Sequence, residues 1–289
     1  MTETPANPRC SLAVCTIERT STLARLLESL AAQSYRNFEL IVADQNDDDR
    51  VAVVLAPYKR RFDILHVHSA RGLSRARNVA LESSAGDIVA FPDDDCWYPP
   101  ALLETVVRRL GEHPEWDGLT GRVIDESARP TAARWDKGPG PISPRNIFRR
   151  ACSISMFLRR RLLERVGRFD ESLGAGAGTP FGSGEESDYL LRALSAGCVV
   201  QYDPTLAAGH ENPTAAYDAA AIARARSYGL GFGLVMARHK LPLSVKLAAC
   251  LRPLAGAVLA ALTGRPAKAR YHLASAAGRL TGWLGLGSQ

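Results

Sequence analysis

The chain has little cysteine and no cysteine motif. Its 289 residues include six cysteines, which are scattered and never form a Cys-x-x-Cys pair. This spacing argues against a zinc ribbon or a disulfide scaffold and suits a reducing cytoplasm. The first nine residues are polar and lack the apolar run of a signal peptide. With 46% hydrophobic and 23% charged residues, we expect a cytoplasmic protein with a packed core.

Acidic residues are missing from the C-terminal quarter of the chain. Residues 219–289 contain ten Lys or Arg and no Asp or Glu, so the rest of the chain has a net charge of −4 although the whole chain has +6. We therefore predict two regions, a folded domain over residues 1–218 and a basic helical region over residues 219–289. Such asymmetry indicates that the basic region meets an anionic surface.

The glycine-rich segment 173–184 matches neither of the common phosphate-binding loops. No Gly-Lys-Ser/Thr follows it, as a P-loop requires, and its spacing differs from the dinucleotide-binding fingerprint. Five glycines in eleven residues exclude a stable strand or helix interior. We predict a mobile lid that delivers the acidic segment after it. A flexible surface loop is the alternative.

Apolar runs typical of buried strands alternate with helical patterns along the first two thirds of the chain. The predicted strands are 10–16, 38–43, 63–68, 87–91, 117–123, 154–158 and 199–202. The predicted helices include 74–82, 102–110, 160–166 and one with leucines at positions 23, 26, 27 and 30. This alternation favours an α/β fold with a mainly parallel sheet and helices on both faces. Residues 125–150, rich in Pro, Gly and Arg, are predicted as a surface excursion, with an acceptor-binding role left open.

Three consecutive carboxylates, Asp93, Asp94 and Asp95, follow the fourth apolar run. Like charges resist burial, so a cleft tolerates them only if a cation or hydrogen-bond donors compensate them. Oxygen clusters suit Mg²⁺ or Mn²⁺, and ligands of open α/β sheets lie outside the carboxyl ends of the strands. We predict that this triplet holds a divalent metal against a diphosphate. The alternative is a solvated acidic turn before the helix that begins near Pro99.

Other polar residues stand at element ends. Thr16 ends the first predicted strand and Asp44 follows the second. The acidic cluster 185–188 opens a helix, where carboxylates complement the helix dipole; the functional alternative is that one of them is a general base. His210 is predicted to lie in a loop after the last strand, where a solvated side chain is the simpler interpretation. The recurrence of such residues at strand ends is better support for a site than any one of them.

Several of these pieces resemble, in the same order, glycosyltransferase family 2 of the GT-A fold. The matching pieces are Val14-Cys15-Thr16 with Arg19, Asp44, Arg77-Asn78, Asp93-Asp94-Asp95, Gly184-Glu185-Glu186-Ser187-Asp188, and His210. The resemblance covers about residues 10–212. It implies a GT-A type, Rossmann-like sheet flanked by helices, a nucleotide-diphospho-sugar donor, and transfer with inversion at the anomeric carbon.

The resemblance also implies residues that bind the nucleotide sugar. Thr16 and Asp44 would hold the base and ribose, and Arg77, with Asn78 beside it, would reach the diphosphate. The family often has Tyr-Asn after the threonine of the first strand, whereas this chain has Ile17-Glu18. Because the aromatic ring is missing, the identity of the base is left open.

The metal and the catalytic base follow from the same resemblance. Asp95 would be the direct ligand of Mn²⁺ or Mg²⁺, with His210 as a further metal or diphosphate contact, and Asp93 or Asp94 would contact the ribose or the water shell of the metal. Glu186 falls at the position of the catalytic base, where the family more often has Asp. The secondary candidates for the site are three other acidic residues: Glu18, Glu185 and Asp188.

The basic region is predicted to be helical. Residues 247–263 are apolar apart from Arg252, but they would reach roughly 26 Å, just short of a ~30 Å hydrocarbon core, so we do not expect a membrane span. The pattern farther on is typical of a helix that lies in a membrane interface. Its basic stripe consists of Arg265, Lys268, His272 and Arg279, next to a face with Leu273, Leu280 and Leu284. A packed helical subdomain or a homodimer contact is the alternative, and no nucleic-acid recognition motif is present.

Together these patterns favour an inverting, metal-dependent glycosyltransferase. It would build a cell-envelope polysaccharide or glycolipid on a glycan or lipid-linked acceptor, as a peripheral protein on the cytoplasmic face of the cell membrane. The alternatives are a metal-dependent nucleotidyltransferase or phosphohydrolase, and a membrane-bound scaffold that retains an inactive nucleotide-sugar site.

Overall fold

The computed structural model describes residues 7–211 and 216–285. The described residues form nine strands, which are β1 (Cys10–Thr16), β2 (Phe38–Asp44), β3 (Asp63–His68), β4 (Ile88–Ala90), β5 (Cys96–Trp97), β6 (Gly118–Ile124), β7 (Gly140–Pro141), β8 (Met156–Arg159) and β9 (Val200–His210). They also form ten α-helices, which are α1 (Ser21–Ala31), α2 (Arg50–Leu55), α3 (Leu73–Glu82), α4 (Leu102–Glu112), α5 (Ile147–Arg150), α6 (Arg160–Val166), α7 (Glu185–Ser195), α8 (Ala219–Arg238), α9 (Leu243–Leu262) and α10 (Pro266–Trp283).

All nine strands belong to one mixed sheet. Its order is β3-β2-β1-β4-β8-β6-β9-β5, and β7 pairs with the N-terminal end of β9. The pairs among β3, β2, β1 and β4 are parallel, and so is the pair β6–β9, whereas β8, β5 and β7 pair antiparallel. The parallel part therefore brings the carboxyl ends of β1, β2 and β4 to one edge.

The sheet is covered on both faces because its central strands are apolar at every second position on each side. Leu12 and Leu40 lie in one core cluster with the four leucines of α1, which are spaced i, i+3, i+4 and i+7 and fully buried. The alternate positions Ala13, Ile41 and Val89 are as deeply buried but lie outside that cluster. The predicted α/β sheet with helices on both faces is consistent with this burial.

Contact density groups the chain into two units. The first comprises Met1–Arg71, Arg75–Phe169 and Arg192–Asn212 and contains every strand of the sheet. The second comprises Gly72–Ser74, Asp170–Leu191 and Pro213–Gln289, and so includes the glycine-rich segment and α8 to α10. The domain boundary after residue 218 stays a prediction.

Within the second unit, close backbone contacts join α8 to α10 and to the glycine-rich segment. A Cβ atom on Gly229 of α8 would lie 3.0 Å from Cα of Gly278 on α10. The glycine-rich segment is irregular, as predicted, and Ser183 Oγ donates to the carbonyl of Tyr228 on α8 at 2.8 Å. The mobility of this segment stays a prediction.

Several boundaries differ from the prediction. The last strand, predicted as 199–202, continues to His210, so His210 is a strand residue and not part of a loop. Its second half pairs with β6 after a register shift and with β5. The predicted strand 154–158 begins instead with a 3₁₀ turn, Ser153–Ser155, before β8. The short elements α2 and β5 were not predicted.

Candidate functional site

Sheet register brings the predicted donor-binding residues to the carboxyl edge of the parallel strands. Thr16 lies directly opposite Asp44 at the ends of β1 and β2. Cys15 forms an isolated parallel bridge with Asp93, just beyond β4. The acidic triplet therefore begins beside the end of β1, as the sequence predicts.

Asp94 is the buried member of the triplet, with 5% of its surface exposed. Thr16 Oγ1 donates to its Oδ2 at 2.7 Å, and Arg19 Nη1 donates to its Oδ1 at 2.9 Å. Burial raises the pKa of Asp94, and the bond from Thr16 and the charge of Arg19 oppose that rise. Arg19 also forms an ion pair with Asp95, so one guanidinium bridges two carboxylates and offsets part of their charge.

Asp93 faces the other cation of the site. Its Oδ1 lies 3.3 Å from Nη2 of Arg77, whose side chain is 2% exposed. The Arg77 guanidinium also lies 5.6 Å from the ring centroid of Phe169, within cation–π range. Burial raises the pKa of Asp93 to about 6, against the attraction of Arg77, and the neighbouring carboxylates raise it further.

Asp95 and His210 form a pair because β5 and β9 are hydrogen-bonded. Cys96, the residue after Asp95, lies opposite His210 in that antiparallel pair. His210 Nε2 lies 3.1 Å from Asp95 Oδ1. Burial alone would raise the pKa of Asp95, but the bond and charge of His210, together with Arg19, lower it. The bond to Asp95 raises the pKa of His210, although burial opposes this.

This pair fits a hard divalent cation that is also held by a substrate. Mg²⁺ is commonly bound through one or two carboxylates plus phosphate oxygens and waters, and Mn²⁺ takes the same oxygen ligands, so Asp95 is the stronger ligand candidate of the pair. Within residues 7–211 and 216–285, no three His, Cys, Asp or Glu side chains are grouped as a complete metal site. Asp95 and His210 therefore fit as a partial ligand set that a diphosphate would complete.

Asp44 has partners that the sequence did not indicate. Its Oδ1 accepts from the backbone N–H of Asn46 at 2.9 Å and from its side-chain amide at 2.7 Å, and its Oδ2 lies 2.9 Å from His66 Nε2. The N–H of Glu18 donates to Asn46 Oδ1 at 2.8 Å, and Glu18 has a left-handed φ of 59°. His66 lies on β3, so no local sequence signal could associate it with Asp44.

Asn78 has a different environment from the other predicted donor residues. Its side-chain amide donates to the carbonyl of Phe169 at 3.0 Å and accepts from the N–H of Phe169 at 2.8 Å. Asn78 is 1% exposed. These bonds hold the backbone that carries Phe169 beside Arg77. The contact of Asn78 with the nucleotide sugar stays a prediction.

The acidic cluster at the start of α7 lies in the second unit. Glu185 is buried and Glu186 is half-buried. Asp188 is 1% exposed and accepts hydrogen bonds from Arg238 at 3.1 Å and from His239 at 2.8 Å. Within the cluster, Asp188 is therefore bonded to the C-terminal end of α8, whereas Glu186 is the half-buried candidate for the base.

Arg19 is the residue whose importance was underestimated from the sequence. It was part of the matching motif but received no role, although it bonds two of the three triplet carboxylates. A basic residue three positions after Thr16, in the loop that follows a strand, was the available signal.

Comparisons with known proteins agree with this architecture. The succinoglycan biosynthesis protein ExoM of Rhizobium meliloti (strain 1021) is 32% identical over 212 residues, which are 67% of this chain and 63% of that protein. The chain thus spans less than two thirds of the length of this relative.

Two solved structures share the fold. The mannosyltransferase PcManGT from Pyrobaculum calidifontis, in complex with GDP-Man and Mn²⁺, has a TM-score of 0.64 at 20% identity and covers 95% of this chain and 87% of its own. Residues 1–349 of S. aureus TarS, in complex with UDP-GlcNAc, have a TM-score of 0.58 at 19% identity, with coverage of 96% and 92%. The GT-A type fold expected from the motifs is confirmed. The family model "Glycosyl transferase family 2" matches residues 11–167, more than half of the sequence, and the chain belongs to that family.

Proposed function

We propose that this chain is an inverting, metal-dependent glycosyltransferase. It moves a sugar from a nucleotide-diphospho-sugar to a hydroxyl group of a glycan or lipid-linked acceptor. The observation that carries this proposal is the pair Asp95–His210, at the carboxyl edge of the sheet together with the guanidiniums of Arg19 and Arg77. Carboxylates for a cation and guanidiniums for phosphates are the groups that a nucleotide diphosphate requires.

Different residues bind the two parts of the nucleotide-sugar donor, the nucleoside and the diphosphate. Thr16 and Asp44, opposite each other at the strand ends, hold the base and ribose, and Asp93 or Asp94 contacts the ribose. Arg77 stabilises the diphosphate, with a charge that burial leaves poorly screened. Asp95 and His210 would hold Mn²⁺ or Mg²⁺, and the cation would supply positive charge against the negative charge that develops on the leaving nucleoside diphosphate.

Glu186 is the general base in this mechanism. It accepts the proton of the acceptor hydroxyl as that oxygen attacks the anomeric carbon, and the sugar–phosphate bond breaks with its electron pair going to the diphosphate. One displacement inverts the anomeric centre. The half-buried position of Glu186 in the first turn of α7 supports the role, because it combines access to a substrate with a partly desolvated carboxylate.

The acceptor belongs to the cell envelope. ExoM is named for succinoglycan biosynthesis, which is the assembly of a polysaccharide. In this chain, residues 219–289 contain ten basic and no acidic residues, which favours a site of action at an anionic membrane. We therefore place residues 1–218 as the catalytic domain and residues 219–289 as a peripheral membrane region on the cytoplasmic face.

The substitution Glu186→Gln tests the catalytic part of the proposal. It removes the base but keeps the shape of the side chain, so transfer should fall about 10²–10⁴-fold while donor affinity is retained. The measurement is nucleoside diphosphate release in the presence of an acceptor extract, across a panel of nucleotide sugars. Glu164→Gln, an exposed glutamate of α6, is the matched control. Turnover by Glu186→Gln equal to that of Glu164→Gln would refute the assignment.

A further inference from the structure

Helix α9 buries small side chains and exposes large aliphatic ones, which is the reverse of the usual arrangement. Its buried residues are small or short, namely Cys250, Pro253, Ala257 and Ala260. Its large aliphatic residues are exposed by 40% to 81%, namely Leu243, Leu247, Leu251, Leu254, Val258, Leu259 and Leu262. A helix on a water-soluble bundle normally buries its leucines and exposes its polar side chains.

Six of these aliphatic residues form one continuous stripe. They recur at i, i+4, i+8, i+11, i+15 and i+19 from Leu243 to Leu262, a spacing that keeps them within about 100° of arc on a helix. An exposed apolar surface of this extent marks an interaction site. The exposed Arg252 lies outside the stripe, on the flank of the same helix.

The contact of α10 with α9 does not involve the stripe. A Cβ atom on Gly256 of α9 would lie 3.2 Å from the ring of His272 on α10, and Arg279 of α10 donates to the carbonyl of Ala249 on α9 at 2.8 Å. Helix α10 therefore packs on α9 through other positions and leaves the leucines of the stripe exposed.

The surroundings of the stripe have one sign of charge. Arg252 on α9 and Arg265 and Arg270 around its C-terminal end are exposed, and no acidic residue occurs in residues 219–289. A second copy of this surface would bring like charges together. An anionic bilayer satisfies both features, because acyl chains take up the leucines and phosphate groups attract the arginines.

We propose that α9 is the membrane-docking element of this protein and lies in the plane of an anionic lipid surface. Among the described residues, it is also the one helix long and apolar enough to cross a membrane. Its packed flank and the exposed Arg252 near its middle favour the in-plane orientation. Within the most apolar 18-residue window of α9, 22% of the residues are buried, which distinguishes it from a soluble core helix.

This inference adds α9 to the docking surface predicted on α10, whose Leu273, Leu280 and Leu284 are exposed by 45% to 57%, and corrects the role of one residue there. The predicted basic stripe on α10 includes Arg279, but the guanidinium of Arg279 lies 4.4 Å from the ring centroid of Phe232 and donates to the carbonyl of Ala249 at 2.8 Å. Arg279 therefore joins the three helices together and does not face lipid. The docking of α9 rests on the membrane placement of residues 219–289 in the proposed function. It does not depend on sugar transfer, so vesicle binding and transfer can fail separately.

Vesicle co-sedimentation of the full chain tests the inference. Vesicles of phosphatidylcholine with and without phosphatidylglycerol are compared at low and high salt, without nucleotide sugar. The double variant Leu251→Gln/Val258→Gln changes two exposed positions, and Val53→Gln on α2, also an exposed aliphatic, is the matched control. We expect binding to the anionic vesicles that weakens with salt, falls about tenfold or more in the double variant, and is unchanged in the control.

Four results would overturn the inference. The double variant could bind as tightly as the unchanged protein, or the unchanged protein could ignore anionic vesicles. Sedimentation velocity could instead show a dimer that the same substitutions dissociate, which would assign the stripe to a second copy of this chain. Protein expressed in cells should be released from membranes by alkaline carbonate; retention after that treatment would indicate a span and contradict the in-plane orientation.

Discussion

Gly231 of α8 lies against the backbone just before α7, the helix that carries the proposed catalytic base Glu186. A Cβ atom at Gly231 would lie 2.9 Å from the carbonyl carbon of Ser183 and closer still to its oxygen. Ser183 immediately precedes Gly184, which has a left-handed φ of 99°, and α7 begins at Glu185. The substitution Gly231→Ala therefore forces the backbone before α7 to move by roughly 1 Å, because the obstacle is backbone and not a flexible side chain.

The expected magnitude combines three effects. Overpacking costs about 1–3 kcal/mol, and replacing a helical glycine by alanine returns about 0.5–1 kcal/mol. The net loss of about 0–2.5 kcal/mol lowers the melting temperature by up to about 10 °C. A displacement of about 1 Å near Glu186 lowers the transfer rate by up to about a hundredfold. Donor affinity should persist, since the proposed donor residues lie in the first unit.

Gly111→Ala is the matched control. Gly111 is an exposed residue of α4, and a Cβ atom there meets nothing within 4 Å. The substitution Gly111→Ala should stabilise the protein by about 0.5–1 kcal/mol and leave the rate of sugar transfer unchanged. Thermal melting followed by circular dichroism and turnover with a saturating donor measure both variants. If Gly231→Ala behaved as Gly111→Ala does, the close contact between α8 and the segment before α7 would be refuted.

Two further predictions concern buried and partly buried ion pairs. Asp188→Ala should destabilise the protein by about 1–3 kcal/mol, because it removes the buried carboxylate that accepts from Arg238 and His239, while Arg238 keeps its ion pair with Asp170; a loss no larger than that of the more exposed Asp170→Ala in urea unfolding would contradict this. Burial alone would raise the pKa of Asp136, but hydrogen bonds from Arg150 and Arg149 bring it below its usual value. Its contribution to stability should therefore be constant above the unfolded pKa of about 3.9 and disappear as the pH falls through the folded pKa. The melting-temperature difference between the unchanged protein and Asp136→Asn measures this, and a difference that grew on acidification would be inconsistent with the ion pair.

Local patterns were sufficient where an element is a continuous run with clear ends. The predicted bounds of β1, β3 and α6 match the structure to the residue. In β1, every residue is buried, so an unbroken apolar run reports the strand directly. The acidic triplet was also predicted correctly to follow the fourth strand, because α/β alternation indicates parallel strands, which end at one edge of the sheet.

Local sequence patterns could not predict the pairing of strands that are distant in the sequence, such as β5 and β9. The two residues of β5 are too few to show a period, and β9 continues through Pro204 and small residues that do not resemble a strand. Gly209 is required there because a Cβ atom would overlap the ring of Trp97 on β5. The position of His210 opposite Cys96 depends on this pairing, which is why the sequence placed it in a loop.

For residues 219–289, the helices could be predicted from the sequence but the faces that they expose could not. Charge asymmetry singled out residues 219–289, and the three helices α8 to α10 lie among the described residues of that region. The boundary itself stays a prediction. A period alone cannot decide which face of a helix its neighbours cover, so the stripe that contains Arg279 was interpreted as exposed. The contact of Arg279 with Phe232 and the outward leucines of α9 became visible only with packed helices.

The most direct test of the donor site is calorimetric titration of the protein with nucleoside diphosphates in Mn²⁺ and, separately, in EDTA. We predict that a matching nucleoside diphosphate binds the unchanged protein more tightly with Mn²⁺ than with EDTA. Asp95→Ala and His210→Ala should lose that difference, and Asp48→Ala, which changes an exposed carboxylate paired with Arg50, should keep it. Equal affinity with Mn²⁺ and EDTA, or a metal effect that survives in Asp95→Ala, would contradict the proposal that Asp95 and His210 hold a cation against the diphosphate.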